Sequence, residues 1–219
     1  VLKHYFEPDE SKQEIKIGTY YADIYTSGGI IEIQTRQFNK LRAKLTYFLE
    51  RYPVTIVYPI PYQKWVYWID KETGEVSGGR RSPKKGSFYE VFVELYRIKS
   101  FLTHENFRLC LVLVDIEEYK YLNGWSKNRK RGAHRKDHIP VALQEICYIA
   151  TLADYQKLLP EELPEAFDSK EFAKEAKISL RLSQISLNIL LEVGIVKRIG
   201  KRGRAYLYEI NKDNEKHCK

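Results

Sequence analysis

Residues 14–34, EIKIGTYYADIYTSGGIIEIQ, decide the fold. Glu14 to Gly18 alternates apolar and polar residues as a half-buried strand does, and Tyr20 to Tyr25 repeats that pattern. Thr26-Ser-Gly-Gly29 supplies a tight hairpin turn, and Ile30 to Gln34 (IIEIQ) is a third strand. Downstream, Phe38, Leu41, Leu45, Phe48 and Leu49 recur with helical period, which predicts a helix over 36–51 with Arg36, Lys40 and Lys44 on another face. Pro53 stops that helix, and Val54 to Tyr58 is a near-continuous apolar strand of the kind covered on both faces. Short strands are expected at 64–79 around the KETG turn, then a loop RRSPKKG, a helix over 88–102 and a strand from Leu109 to Ile116. Upstream, only a short or truncated N-terminal helix is expected. The order is therefore helix, three strands, helix, strand, an α/β unit with a mixed sheet.

Composition limits what such a chain does. Its 219 residues are 43% hydrophobic, enough for a real core and too many for a disordered chain. No apolar run approaches the roughly 18–20 residues that cross a bilayer. The N-terminus VLKHYFEPDE lacks the apolar centre of a signal peptide, so a cytoplasmic protein without a membrane partner is expected. Three widely spaced cysteines, Cys110, Cys147 and Cys218, argue against a disulfide framework or a cysteine zinc site. His134 and His138 have no second pair nearby to complete such a site.

The excess charge, 37 Lys+Arg against 29 Asp+Glu, is concentrated. Residues 127–136, KNRKRGAHRK, hold six Lys/Arg, with no acid from Tyr119 through Lys136. Residues 197–204, KRIGKRGR, hold five more. Such clusters match the footprint of a nucleic-acid binder, in which each phosphate contact releases counterions. The first run is read as a basic linker at 122–139, between a domain over 1–121 and a second over 140–219.

Asp23 lies in the second strand, and Glu32 and Gln34 lie two apart in the third, hence on one face. Carboxylates gathered in apolar strands are costly unless a positive charge sits between them. A hard divalent cation with oxygen ligands answers that need. The spacing D-x8-E-x-Q, followed by a basic amphipathic helix and a buried strand, resembles the PD-(D/E)XK nuclease superfamily. Many restriction enzymes and Holliday-junction resolvases belong to that group. The resemblance implies a restriction endonuclease-like αβββαβ core in which Asp23, Glu32 and the carbonyl of Ile33 hold Mg²⁺, with Mn²⁺ as substitute. It also implies that Gln34 positions the attacking water and that Glu14, in preference to Glu7, is an additional acid. Arg36 and Lys40 would contact the adjacent phosphate. Two positions depart from the family pattern. Ala22 replaces the usual Pro, and Gln34 replaces the usual Lys; an amide orients water but supplies no charge.

The last segment reads helix, helix, helix, strand, turn, strand after Asp137-His-Ile-Pro140. Asp168 and Glu171 form a capping pair for a helix over 169–176, and Gly194 ends the next helix, 180–193. Residues 165–210 resemble a winged helix-turn-helix domain, an α+β module. Leu182, Ile185, Ile189 and Leu190 are expected in its core, with Arg181, Gln184 and Asn188 beside them. Those three side chain types make bidentate contacts to base edges. Gly200 to Gly203 would be the wing tip, with Lys201, Arg202 and Arg204 near phosphates, and Lys127, Arg129, Lys130, Arg131, Arg135 and Lys136 would serve the linker.

The expectation is a Mg²⁺-dependent endonuclease placed on double-stranded DNA by its C-terminal domain. Cutting both strands uses two active sites, so a homodimer is expected. Two alternatives accompany it: a regulator of nuclease fold without turnover, and a structure-specific nuclease for junctions or RNA.

Overall fold

A computed structural model describes residues 1–121 and 134–212, with backbone alone at 134–136. Its first part follows the expected order. Helix α1 (Leu2–Phe6) precedes β1 (Gln13–Ile17), β2 (Tyr20–Thr26) and β3 (Gly29–Ile33). These strands are antiparallel neighbours, with Ile15 opposite Ala22 and Ile24 opposite Ile31. Helix α2 (Arg42–Leu49) then crosses over to β4 (Val54–Ile69), which lies parallel to β3 with Ile31 opposite Thr55. Gly29 begins that pairing. At φ +115° it presents its open side to the Pro53 carbonyl, which a Cβ would meet at 2.3 Å. Only glycine relieves both constraints.

The remaining elements are β5 (Arg80–Arg81), α3 (Val91–Leu95), β6 (Phe107–Tyr121), β7 (His134–Ile149), α4 (Ser169–Glu175), α5 (Leu180–Glu192), β8 (Val196–Arg202) and β9 (Ala205–Ile210). Among the described residues seven strands form one mixed sheet, ordered β1-β2-β3-β4-β6-β7 with β5 beside β4, and β8 and β9 form a separate hairpin. The chain is thus mixed α/β. No helix among the described residues is long and apolar enough to cross a membrane.

Several expected boundaries move. The helix predicted over 36–51 is a 3-10 turn, Phe38–Leu41, followed by α2. Gln37 holds a left-handed φ of 61°, and the Phe38 amide donates to the buried Glu94 carboxylate at 2.9 Å. The helix start is therefore capped from another element, which local sequence does not reveal. The helix over 88–102 breaks into 3-10 and α turns because Ile98 leaves helical geometry. The strand pieces expected at 64–79 are mostly the continuation of β4, which runs 16 residues. The helical stretch expected after Asp137 is strand β7 instead. Its Pro140 lacks an amide donor, and β7 ends the sheet order, where proline is tolerated.

The chain also divides differently from the expected 1–121, 122–139 and 140–219. One compact unit gathers Val1–Tyr58, Phe88–Leu111 and the described residues from Cys147 on; the other gathers Pro59–Ser87 and the described part of Val112–Ile146. The long strands β4 and β6 carry the chain from one unit to the other, so no single linker separates them. In the first unit Phe48, Leu45, Ile24, Ile30 and Ile56 are fully buried, each worth roughly 1.5–3 kcal/mol of transfer free energy. The C-terminal helices belong to this unit. The Phe172 ring lies 6.1 Å from Tyr89 and 6.2 Å from Phe167, and Lys99 pairs with Glu192 at 3.1 Å.

Helix α4 has the capping box read from sequence. Asp168 accepts the amides of Lys170 and Glu171, and Glu171 accepts the Asp168 amide at 2.8 Å. Asp168→Ala is expected to cost about 1 kcal/mol, a fall in Tm of about 2–4 °C, read by thermal unfolding. Gly194 follows α5 at φ 78°, the left-handed stop expected there. The core line of α5 is rotated from the expected one: Ser183, Ser186, Leu187, Ile189 and Leu190 are buried, while Leu182 and Ile185 are half-buried. The two serines hide by bonding backbone, Ser183 to the Ser169 carbonyl at 2.6 Å and Ser186 to that of Leu182 at 2.9 Å.

Candidate functional site

Strand alternation brings Asp23 and Glu32 together as the sequence implied. The Asp23 amide donates to Glu32 Oε1 at 3.4 Å, and the Ile33 amide donates to Asp23 Oδ2 at 2.8 Å. At Ile33 it is thus the amide, on the strand beside Asp23, that engages a carboxylate. Two lysines complete the cluster. Lys44 Nζ, on α2, lies 2.6 Å from Glu32 Oε2, and Lys3 Nζ, on α1, lies 3.0 Å from Asp23 Oδ1 while also binding Glu14. All four carboxylate oxygens of Asp23 and Glu32 therefore have partners.

Burial pushes the Glu32 carboxyl up to about 7, against the hydrogen bond and charge of Lys44 that pull it down. Its side chain is only 4% exposed and that of Lys44 19%, so their interaction is shielded from water.

Lys44 is the residue that the sequence reading missed. It was placed with Arg36 and Lys40 on the polar face of the helix, yet its stem runs beside the core stripe. Its ammonium lies 5.8 Å from the centre of the Phe48 ring, one turn on. A lysine four residues before a buried aromatic, on the helix that covers β3, was the available signal. Gln34 goes elsewhere: its side-chain amide donates to the Arg36 carbonyl, and its backbone amide to Val57 at 3.0 Å. Arg36 and Lys40 are exposed, the first ahead of the 3-10 turn and the second within it, so neither stands on α2.

Of the two candidates for an additional acid, Glu14 is the one beside the pair, through their shared Lys3. Its φ of 52° is unusual for a residue with a side chain, a local strain of the sort found at functional positions. Glu7 is engaged with Lys12 and the Asp9 amide. Among the described residues no three His, Cys, Asp or Glu side chains converge as a ready-made metal cluster. The donor chemistry still suits a hard cation such as Mg²⁺, which takes one or two carboxylates and keeps several waters.

Of the C-terminal residues expected on DNA, Gln184, Asn188, Arg202 and Arg204 line a groove of about 730 Å³ between α5 and the hairpin, and Arg181 and Lys201 do not. Gln184 and Asn188 line it on the helix side; Arg198, Arg202, Arg204 and Tyr206 line it on the hairpin side. Asn188 Oδ1 is buried there without a partner. Arg181, one turn from Gln184, is exposed. The hairpin turn is Gly203-Arg204, later than the expected Gly200–Gly203, because Arg202 pairs with Ala205 and Gly203 supplies a left-handed φ of 63°. Arg202 is tied to Glu171 at 2.8 Å, Lys201 lies 5.1 Å from the Tyr206 ring, and Arg204 is exposed. Lys127, Arg129, Lys130 and Arg131 lie outside the described residues, and Arg135 and Lys136 are described in backbone only. The buried Cys110 thiol is pushed up to about 11 by burial, Cys147 is half-buried, and Cys218 lies outside the described residues.

A relative from Treponema pallidum (strain Nichols), an uncharacterized protein, is 29% identical over 209 residues, covering 94% of this chain and 82% of its own. No solved structure matches. The family model described as a domain of unknown function, DUF8091, matches residues 1–150, a span that holds Asp23, Glu32 and Lys44 together. The chain belongs to the DUF8091 family.

Proposed function

We propose that this chain is a Mg²⁺-dependent endonuclease of the PD-(D/E)XK type that hydrolyses phosphodiester bonds of double-stranded DNA. The observation that carries the reading is the meeting of Asp23 and Glu32 with Lys44 on β2, β3 and α2. The order of α1 to β4, with β3 parallel to β4, supports it. So does the helix pair and basic hairpin of residues 169–210, read as a winged helix on duplex DNA.

In this reading Asp23 and Glu32 hold Mg²⁺, which when bound supplies Lewis-acid charge and a more acidic water. The Ile33 amide fixes the Asp23 carboxylate, and Lys3 and Lys44 hold the two carboxylates in place through ion pairs. Lys44 supplies the positive charge that Gln34 lacks, placed to neutralise a phosphate oxygen as charge builds on it. Gln34 has the lesser task of holding the loop that leads to Arg36.

A second reading, a DNA-binding regulator of the same fold without turnover, has its own observation: both carboxylates are already matched by lysines. Supercoiled-plasmid cleavage with Mg²⁺ or Mn²⁺ separates the two. Nicking that EDTA abolishes, that falls about 100-fold in Lys44→Met and that changes little in Gln34→Ala is expected of the nuclease. Tight DNA binding by pure protein without any cutting would establish the regulator.

A further inference from the structure

The second compact unit, Pro59–Ser87 with the described part of Val112–Ile146, has no role in the site above. Its strands sort their side chains onto two faces. On one, Arg81 Nε donates to Gln63 Oε1 at 2.8 Å, Gln144 donates to Asp115 at 2.6 Å, and Tyr67 stacks on Tyr119. The other face carries the even-numbered residues of β4. There Lys85 lies 4.9 Å from the Tyr62 ring centre, and Lys120 lies 5.7 Å from that of Trp68. Lys64 falls between those rings by strand alternation, and Arg80, paired with Val66, joins it from β5.

Cations predominate on this face near β4 and β5. Residues 76–87 contain four Lys/Arg and no acid. Of the unit's acids, half-buried Asp70 and exposed Glu72 and Glu75 stand at the hairpin tip and exposed Asp137 on β7, while exposed Glu145, next to Gln144 on β7, falls by alternation on the cation-bearing face, two strands from β4. The one acid next to Lys120, Glu118 at 3.6 Å, is buried. Lys64 and Arg80 have no ion pair among the described residues, so their charge is available to a ligand.

We infer that this face of the second unit is a further DNA-binding surface, which holds the phosphate backbone of duplex DNA without reading its sequence; the inference rests on the proposed action on DNA. The cations fit a polyanion. The rings of Tyr62 and Trp68 each carry an ammonium on the face, so the surface offers charge to phosphates and not open platforms for unstacked bases.

The test is fluorescence anisotropy of the full chain with a labelled DNA duplex, at salt concentrations from about 50 to 200 mM. The variant is Lys64→Ala/Arg80→Ala/Lys85→Ala; Lys120 is kept because it neutralises buried Glu118. Each lost phosphate contact removes about 0.9 from the slope of log Kobs against log salt. The triple variant is expected to lose about 2–3 from that slope and about tenfold or more in affinity. Lys64→Arg/Arg80→Lys/Lys85→Arg should keep both. Arg80→Ala alone, at an exposed position, should lose about 1 and keeps the test open should the triple variant unfold. An unchanged slope on duplex DNA, or a loss seen only with single strands or with RNA, would overturn the inference. The activity reading fails separately. A slope lost in the variant without any Mg²⁺-dependent cutting by the wild type leaves this surface standing and removes the nuclease. Cutting by the wild type with an unaltered slope in the variant does the reverse, and a wild type that does not bind DNA overturns both.

Discussion

Glu32→Gln is expected to lower Mg²⁺-dependent DNA cleavage by about a thousandfold while leaving the fold and duplex affinity close to wild type. The substitution keeps shape and the possibility of accepting from the Asp23 amide, but removes the charge needed to hold a cation. Loss of a metal's charge stabilisation is worth several kcal/mol in the transition state, and each 1.4 kcal/mol is about tenfold in rate. Asp23→Asn should behave alike, since Asp23 is the other oxygen donor and is fixed by the Ile33 amide at 2.8 Å. Plasmid nicking gives the rate, near-UV circular dichroism the fold, and calorimetric titration with Mn²⁺ the cation affinity, which should collapse in both variants. Undiminished cutting in either would show that the catalytic cation, if any, is held elsewhere. The buried Lys44–Glu32 pair adds an internal check. In Glu32→Gln, Lys44 keeps its charge for the phosphate oxygen, so Lys44→Met should lower any residual rate further, whereas a residual rate that no longer responds would mean that Lys44 acts only through Glu32.

Phe172→Ala is expected to destabilise the protein by about 3–5 kcal/mol, the cost of emptying a buried aromatic site. Phe172 is fully buried on α4 and touches Tyr89 and Phe167, whose ring in turn stacks on Tyr208 of β9. The Phe167 backbone pairs with Tyr208 in both directions, at 2.9 and 2.8 Å, so the hairpin is anchored to the same cluster. The loss should appear as a fall of about 10 °C or more in Tm for a chain of this size, and as a lower urea midpoint. Duplex binding attributed to α5 and its hairpin should weaken in step. A drop below about 1 kcal/mol would mean that the helices close over the gap or that their packing on Tyr89 matters little.

Much of the N-terminal order was legible because each element carries its own signal. The alternation in 14–34, the glycine turn, the helical stripe and the Pro53 stop act over a few residues, and strand period puts Glu32 and Gln34 on one face with Asp23 on the neighbouring strand within reach of it. Asp168 with Glu171, and Gly194, were legible for the same reason: caps are local chemistry. Where partners lie far apart in sequence the reading failed. Lys44 was placed on another face of the helix without a role, because twelve residues separate it from Glu32. The start of the helical segment at Phe38 depends on Glu94, 56 residues on. Residues 137–149 looked helical because strand partners in β6 cannot be seen from within the segment. In α5 the core line was drawn through the largest apolar residues, whereas Ser183 and Ser186 turn inward by satisfying their hydroxyls on backbone carbonyls.

By itself the sequence determined the α/β class, the order of elements from α1 to β4, the pairing of Asp23 with Glu32, and the helix pair with its basic hairpin. These follow from periodicity, turn residues and caps, whose free energies are set by neighbours a few positions apart. Only the tertiary structure decided that Lys44 and Lys3 neutralise the carboxylates, that Gln34 turns to the Arg36 loop, and that the C-terminal helices share a core with Tyr89. It also decided that the far halves of β4 and β6 gather into a unit of their own with cations on one face. Long-range contacts settle these points, because burying an acid or a ring depends on which distant residue meets it, and no local pattern encodes that choice.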